Sequence, residues 1–235
     1  MKIVAAIVLG ALALVLFAAG GAPAREAADG RTLYELGCSS CHGPDLRGIP
    51  GRGPNLRGVG AEAADFYIRT GRMPLPDPGR QPLRTESPYS PEQQTALIEY
   101  VGSFGGPGVP AVDPARGDLA TGQRLFGEHC MGCHQVVGEG GITTSGVAPD
   151  LQSSSPVDVA EAVDIGPYVM PVFPQLTGAD VDSLARYVQY TKDPEDIGGW
   201  GIGHIGPIPE GMVAWLLAGV VLLGVARLIG ERSRS

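Results

Sequence analysis

Apolar residues follow three patterns along the chain: an uninterrupted run at each end and a sparser, periodic pattern between them. Residues 3–22 carry no charge and follow Lys2, and residues 211–229 form a second run broken only by Arg227. In the middle, intervals of three and four predict short amphipathic helices. Ala96, Leu97, Tyr100, Val101 and Phe104 make one stripe. Ser90 as N-cap, Pro91 at the first helical position and Gln93 three residues on form a capping box before it, and Gly105-Gly106 stops it. Val181, Leu184 and Val188 make another, with Thr177 and Asp180 flanking its start and Asp193-Pro194 ending it. A short amphipathic helix is also expected to run into Cys38, and another into Cys130.

These segments repeat. Aligning Cys38 with Cys130, an offset of 92 residues, brings Gly30 into step with Gly122, Leu33 with Leu125 and Tyr34 with Phe126. Downstream, Pro54-Asn55-Leu56 answers Pro149-Asp150-Leu151, Met73-Pro74 answers Met170-Pro171, and Tyr100-Val101 answers Tyr187-Val188. The order is the same and only loop lengths differ, which predicts two tandem lobes of one design. The Gly- and Pro-rich stretch 105–115 reads as the linker.

The terminal runs point to a membrane. As a helix, residues 211–229 would span about 28 Å, close to the hydrocarbon thickness of a bilayer. Arg227, Arg232 and Arg234 gather at its far end, whereas the preceding segment holds Asp193, Glu195, Asp196 and Glu210 against Lys192 alone. The positive-inside bias then places the C-terminus in the cytoplasm and the lobes outside, with Trp215 near the outer interface. A buried core helix is the alternative. Residues 1–24 are either an export signal cleaved near Ala22-Pro23-Ala24 or a retained anchor.

Composition adds two constraints. With 36 Gly and 21 Pro, the soluble part is loop-rich and its short helices need more than their own core to hold them; a rigid cofactor would serve. The net charge of −8 leaves no basic surface for phosphates, so nucleic acid is excluded as a partner. That charge is concentrated: residues 25–108 hold nine Arg against ten acids, and residues 109–200 four basic residues against thirteen acids. The second lobe carries either a solvated acidic face or a surface complementary to a partner.

All four cysteines fall in two motifs, Cys38-Ser39-Ser40-Cys41-His42 and Cys130-Met131-Gly132-Cys133-His134. Thiols one helical turn apart can each form a thioether with one haem vinyl group, and the following imidazole comes under the iron; Cys-x-x-Cys-His is the attachment signature of haem c. Two covalently bound haems c are therefore expected. A zinc site, a disulfide or a thioredoxin-like motif would not demand His after both pairs. For the sixth iron ligand, Met1 starts the chain, Met131 lies between cysteines and Met212 lies in the apolar run, which leaves Met73 and Met170, each alone in its lobe and followed by Pro. The iron ligands are thus His42 with Met73 and His134 with Met170. The carbonyls of Pro54 and Pro149 are candidates to accept the second imidazole N–H of His42 and His134. His129 and His204 receive no role, and no residue is expected to be catalytic in itself.

Over roughly residues 25–195 these motifs resemble tandem class I cytochrome c domains. With the segment 203–215 leading into a C-terminal anchor, the layout looks like the dihaem cytochrome c subunit of the actinobacterial cytochrome bcc complex, a menaquinol:cytochrome c reductase. The resemblance implies an all-α fold: cytochrome c domains at 25–106 and 107–195, a juxtamembrane linker at 196–210 and a transmembrane helix at 211–230. It also implies an electron-transfer subunit of a translocase in the respiratory chain, held in the cell membrane with its lobes on the extracytoplasmic face. Its partners would be a cytochrome b subunit, a Rieske iron-sulfur subunit supplying electrons to the first haem, and a terminal cytochrome c oxidase receiving them from the second. A free-standing membrane-tethered dihaem carrier, or a donor subunit of another oxidase or dehydrogenase, shares the same motifs.

Overall fold

The computed structural model describes residues 29–194 and 207–232. The expected signal or anchor at 1–24, most of the juxtamembrane linker and His204 lie outside the described residues. In chain order the elements are α1 (Gly30–Gly37), α2 (Ser39–His42), α3 (Gly60–Arg69), α4 (Pro91–Gly102), α5 (Leu119–His129), α6 (Met131–His134), β1 (Gly141–Thr143), β2 (Gly146–Ala148), α7 (Pro156–Ile165), α8 (Gly178–Lys192) and α9 (Pro207–Arg232). The fold is that of an all-α protein. Its departures among the described residues are the antiparallel hairpin β1–β2, which pairs Gly141 with Ala148, and an isolated bridge between Ile49 and Gly53.

Each lobe is closed by its first and last helices. In the first, the Asp29 side chain accepts the backbone N–H groups of Arg31 and Thr32 and starts α1. Leu33 and Tyr34 then meet Leu97, Ile98 and Val101 of α4. The capping box forms as expected, with Ser90 N–H donating to Gln93 Oε1 at 3.0 Å and Gln93 N–H to Ser90 Oγ at 3.4 Å. In the second lobe, Thr177 and Asp180 make the equivalent box on α8, and Leu125 and Phe126 pack on Leu184, Tyr187 and Val188. The helices touch at glycine: a Cβ on Gly30 would overlap the Ala96 carbonyl, and one on Gly122 the Ser183 carbonyl. Gly30→Ala and Gly122→Ala should therefore each destabilise their lobe by about 1–3 kcal/mol, read as a lowered denaturation midpoint.

Two interior helices, α3 and α7, and the hairpin have no counterpart in the apolar pattern. Ser155 caps α7 in a box with Asp158, and Pro156 occupies its first turn. The linker at 105–115 is packed rather than free: Pro107 accepts the Glu62 N–H at 3.3 Å, and Asp113 N–H donates to Asp182 at 2.7 Å.

The lobes meet where α3 packs on α7, and the contact is acidic. Glu62, Asp65 and Glu161 are all buried, and neither Glu161 oxygen has a hydrogen-bond partner. Burial first, then the neighbouring Asp65 and Asp158 carboxyls and Glu62, raises the Glu161 pKa. Burial and Asp164 push Glu62 up to about 7. Arg69 engages Asp65 and Arg84 engages Asp158, so these two cations are committed. The folded chain holds the Glu62 and Glu161 protons more tightly than the unfolded one, so their contribution to stability is full below the ordinary carboxyl value of 4.5 and is lost as pH rises, through about 7 for Glu62 and about 9 for Glu161. Glu161→Gln should flatten that decline and raise the melting temperature above pH 7 by about 3 °C or more, the shift that 1 kcal/mol gives in a chain of this size.

The same burial qualifies the charge of the second lobe. Glu161 is enclosed, Asp182 is paired with Arg116, and Asp158 with Arg84, so three of its thirteen acids do not form a free acidic face.

Within α9 the 22-residue stretch Gly211–Arg232 holds an apolar window of mean hydropathy 2.3, no share of which is buried inside the chain. Trp215 is 80% and Leu223 74% exposed. A core helix would be covered by its own fold, so the alternative reading of this run does not hold. The helix is long and apolar enough to cross a membrane.

Candidate functional site

Each Cys-x-x-Cys-His motif is a single turn that continues a longer helix after a kink. Cys38 ends α1, its N–H bonded to the Tyr34 carbonyl at 2.8 Å, and starts α2, where the His42 N–H reaches the Cys38 carbonyl at 2.9 Å. Cys130 does the same between α5 and α6, at 2.8 Å to Phe126 and 2.9 Å from His134. Both histidines are buried, and the residue after each leaves the turn with positive φ: Gly43 at 77° and Gln135 at 65°.

The imidazoles are oriented as the sequence suggested. His42 Nδ1 lies 2.9 Å from the Pro54 carbonyl and His134 Nδ1 3.0 Å from that of Pro149. A carbonyl can only accept, so Nδ1 carries the proton and Nε2 keeps the lone pair that a metal requires. Burial lowers the His134 pKa, which favours the neutral, ligating form.

Two glycines that sequence reasoning overlooked make these bonds possible. Gly48 and Gly140 each stand six residues after the histidine and adopt φ of 82° and 75°. Each N–H donates to the histidine carbonyl, at 2.8 Å and 3.0 Å. A Cβ on Gly48 would come within 2.7 Å of the Pro54 carbonyl carbon, and one on Gly140 within 2.6 Å of that of Pro149. The signal was present, because 48 and 140 differ by the repeat offset of 92. An aromatic crossing secures the same loop from the other side: Tyr34 Oη donates to Gly43 O at 2.6 Å, and Tyr187 Oη to Val136 O at 3.0 Å. The hydroxyl has moved from the first helix to the last between lobes, while the ring pair is kept, Tyr34 with Tyr100 and Phe126 with Tyr187.

The four thiols stand in two separate pairs, and none is in a disulfide. Burial pushes Cys38 and Cys130 up to about 11, the opposite of the depressed pKa of a nucleophilic thiolate. Cys130, Cys133, His134 and Met170 line one cavity of about 320 Å³. Its further lining is largely apolar, with Leu151, Val163, Phe173 and Leu184 among the residues. Soft sulfur and imidazole donors on an apolar wall suit a large planar iron cofactor. One buried cation on the wall, Arg72, has an Nη1 with no partner, an unmet demand for an anion. Met73 follows α3 in a partly buried position, its N–H donating to the Tyr67 carbonyl at 3.0 Å. His129 also lines the cavity, its ring 5.8 Å from that of Phe173.

Comparison with known proteins matches the two lobes separately: residues 27–104 to the cytochrome c family and residues 117–188 to subunit III of cbb3-type cytochrome c oxidase. Haem c is the group such domains hold. The cytochrome bc1 complex cytochrome c subunit of Corynebacterium diphtheriae is 36% identical over 87% of this chain and 80% of its own length. The subunit of the same name from Mycobacterium tuberculosis is 37% identical over 87% of this chain and 77% of its own. Among solved structures, a reducing HAO-like protein complex of Kuenenia stuttgartiensis aligns over 69% of this chain and 94% of that chain at 21% identity, with a TM-score of 0.38.

Proposed function

Because the chain belongs to the family of cytochrome c subunits of the cytochrome bc1 complex, we propose that it carries two haems c, one in each lobe, and relays electrons from a quinol-oxidising complex towards a terminal oxidase. The observation that carries this reading is the gathering of Cys130, Cys133, His134 and Met170 on one cavity, in a lobe whose motif geometry the first lobe repeats. In each lobe the two cysteines hold the porphyrin edge, Cys38 and Cys41 in the first and Cys130 and Cys133 in the second. His42 and His134 present Nε2 to the iron, and Met73 and Met170 supply the sixth ligand. When bound, each haem takes up and releases one electron. The chain's own residues fix where that happens and at what potential: the Pro54 and Pro149 carbonyls orient the imidazoles, and the Met thioethers raise the potential.

Helix α9 anchors the lobes to the membrane, with Arg227 and Arg232 at its cytoplasmic end and the haem lobes on the outer face. The electron donor is a Rieske iron-sulfur subunit, the acceptor a terminal cytochrome c oxidase, and the quinol chemistry resides in a cytochrome b subunit. The chain is not catalytic alone. Gentle purification of the tagged protein from its own membranes, followed by reduction with a menaquinol, tests this assignment. We expect b-type and c-type bands together and co-purification of a Rieske protein. Bands of c type that appear only with a chemical reductant, and no cytochrome b, would favour a free-standing carrier.

A further inference from the structure

The cavity of the second lobe is not closed by the second lobe alone. Its wall includes Phe66, Arg72, Gln81, Pro82, Leu83 and Arg84, all from the first lobe. Gln81 fastens this wall to β2 by pairing its amide with both backbone groups of Val147: Nε2 donates to the carbonyl at 2.7 Å, and Oε1 accepts the N–H at 2.9 Å. Arg84 adds a bond to the Ser153 carbonyl at 3.2 Å and an ion pair with Asp158.

Arg72 differs from these. It is 8% exposed, its guanidinium carbon stacks 4.6 Å from the centroid of the Phe66 ring, and Nη1 has no hydrogen-bond partner. Among the described residues no carboxylate forms an ion pair with it, and Asp158, whose field favours its charge, is held by Arg84. A buried guanidinium left in this condition is costly unless an anion completes it. The Phe66 ring beneath it holds the guanidinium in place, so the unpartnered Nη1 is a fixed donor suited to a carboxylate oxygen.

We propose that Arg72 is the counter-charge of a haem propionate in the second lobe, so that the second cofactor site is completed by a side chain of the first. This rests on the proposed haem in that cavity, and haem supplies two carboxylates of the kind this donor lacks. The consequence would be a link between the lobes: a positive charge beside a propionate would favour the reduced state of a haem held there, so that site's potential would depend on its docking to the first lobe. Arg72 acts through the propionate and is a positioning residue.

The test is a redox titration of the full-length, haem-loaded protein and its Arg72→Gln and Arg72→Lys variants. The wave of the second haem is identified as the one missing from Cys130→Ala/Cys133→Ala. Arg72→Gln should keep both haems, lower the equilibrium constant for reduction of the second about tenfold, equivalent to about 59 mV for one electron, and leave the first wave within a third of that shift. It should also displace the propionate bending bands in the resonance Raman spectrum, and Arg72→Lys should recover part of the potential. A second wave that stays in place would overturn the proposal. So would a larger movement of the first wave, which would mean that Arg72 acts only through its neighbour Met73. A wild-type protein without c-type bands would instead overturn the haem reading itself.

Discussion

Met170→Leu is expected to leave the second haem attached and to lower its potential by on the order of 0.1 V, a part of the range that axial ligands span. The thioethers to Cys130 and Cys133 do not involve Met170, so attachment survives. A thioether ligand favours ferrous iron, and an alkyl side chain of nearly the same volume fills the space without ligating, so packing is little changed. Met73→Leu should do the same to the first haem. Redox titration with a visible probe measures both, and transfer through the altered lobe should slow. Loss of haem from either variant, or an unmoved potential, would count against the ligand assignment.

The Cys130→Ala/Cys133→Ala double variant should have the larger effect on the fold. It leaves a cavity of about 320 Å³ without the group that fills it, and at ~24 cal/mol per Å³ the cost reaches up to about 8 kcal/mol. That is comparable to the whole stability of a small domain. Leu125, Phe126, Leu184, Tyr187 and Val188, even with the second cluster of Ala160, Val163, Phe173 and Val181, are too small a core to offset it. The second lobe should therefore lose fixed packing, seen as loss of near-ultraviolet dichroism and rapid proteolysis within 117–192, with haem content falling by half. The first lobe, with its own core around Tyr34, Leu97 and Val101, should keep its haem.

What could be read from the sequence was the part of each lobe that obeys simple pattern. The Ser90 capping box, the Thr177 and Asp180 start of α8 and the aromatic positions of the crossing helices lie at regular spacings and recur in the same order, 92 residues apart on the first helices and 87 on the last. The carbonyls that orient His42 and His134 were legible because a Pro-x-Leu element follows each motif in the same order, although the loop before it differs in length. Helices α3 and α7 were not, because they bury Glu62, Asp65 and Glu161 where an amphipathic pattern demands apolar residues. Only the Ser155-Pro156 start with Asp158 three residues after the cap marked α7. The hairpin was hidden by its length of three residues per strand. It occupies the loop in which the second lobe takes 15 residues from histidine to the accepting proline where the first takes 12.

The cross-lobe wall of the second cavity was beyond sequence reading for a different reason. Gln81 meets Val147 across 66 positions and Arg84 meets Asp158 across 74, with no repeat partner to mark either. A repeat is read as two self-contained copies. Side chains that one copy lends to the other have no counterpart at the offset, and Arg72 aligns, one residue before each methionine, with Val169.

The central claim is that each lobe holds one covalently attached haem c, and the pyridine haemochrome of the purified, denatured chain tests it most directly. The account predicts a c-type spectrum at two haems per polypeptide, still bound after acid-acetone extraction. A colourless chain, extractable haem, or one haem per chain would contradict it.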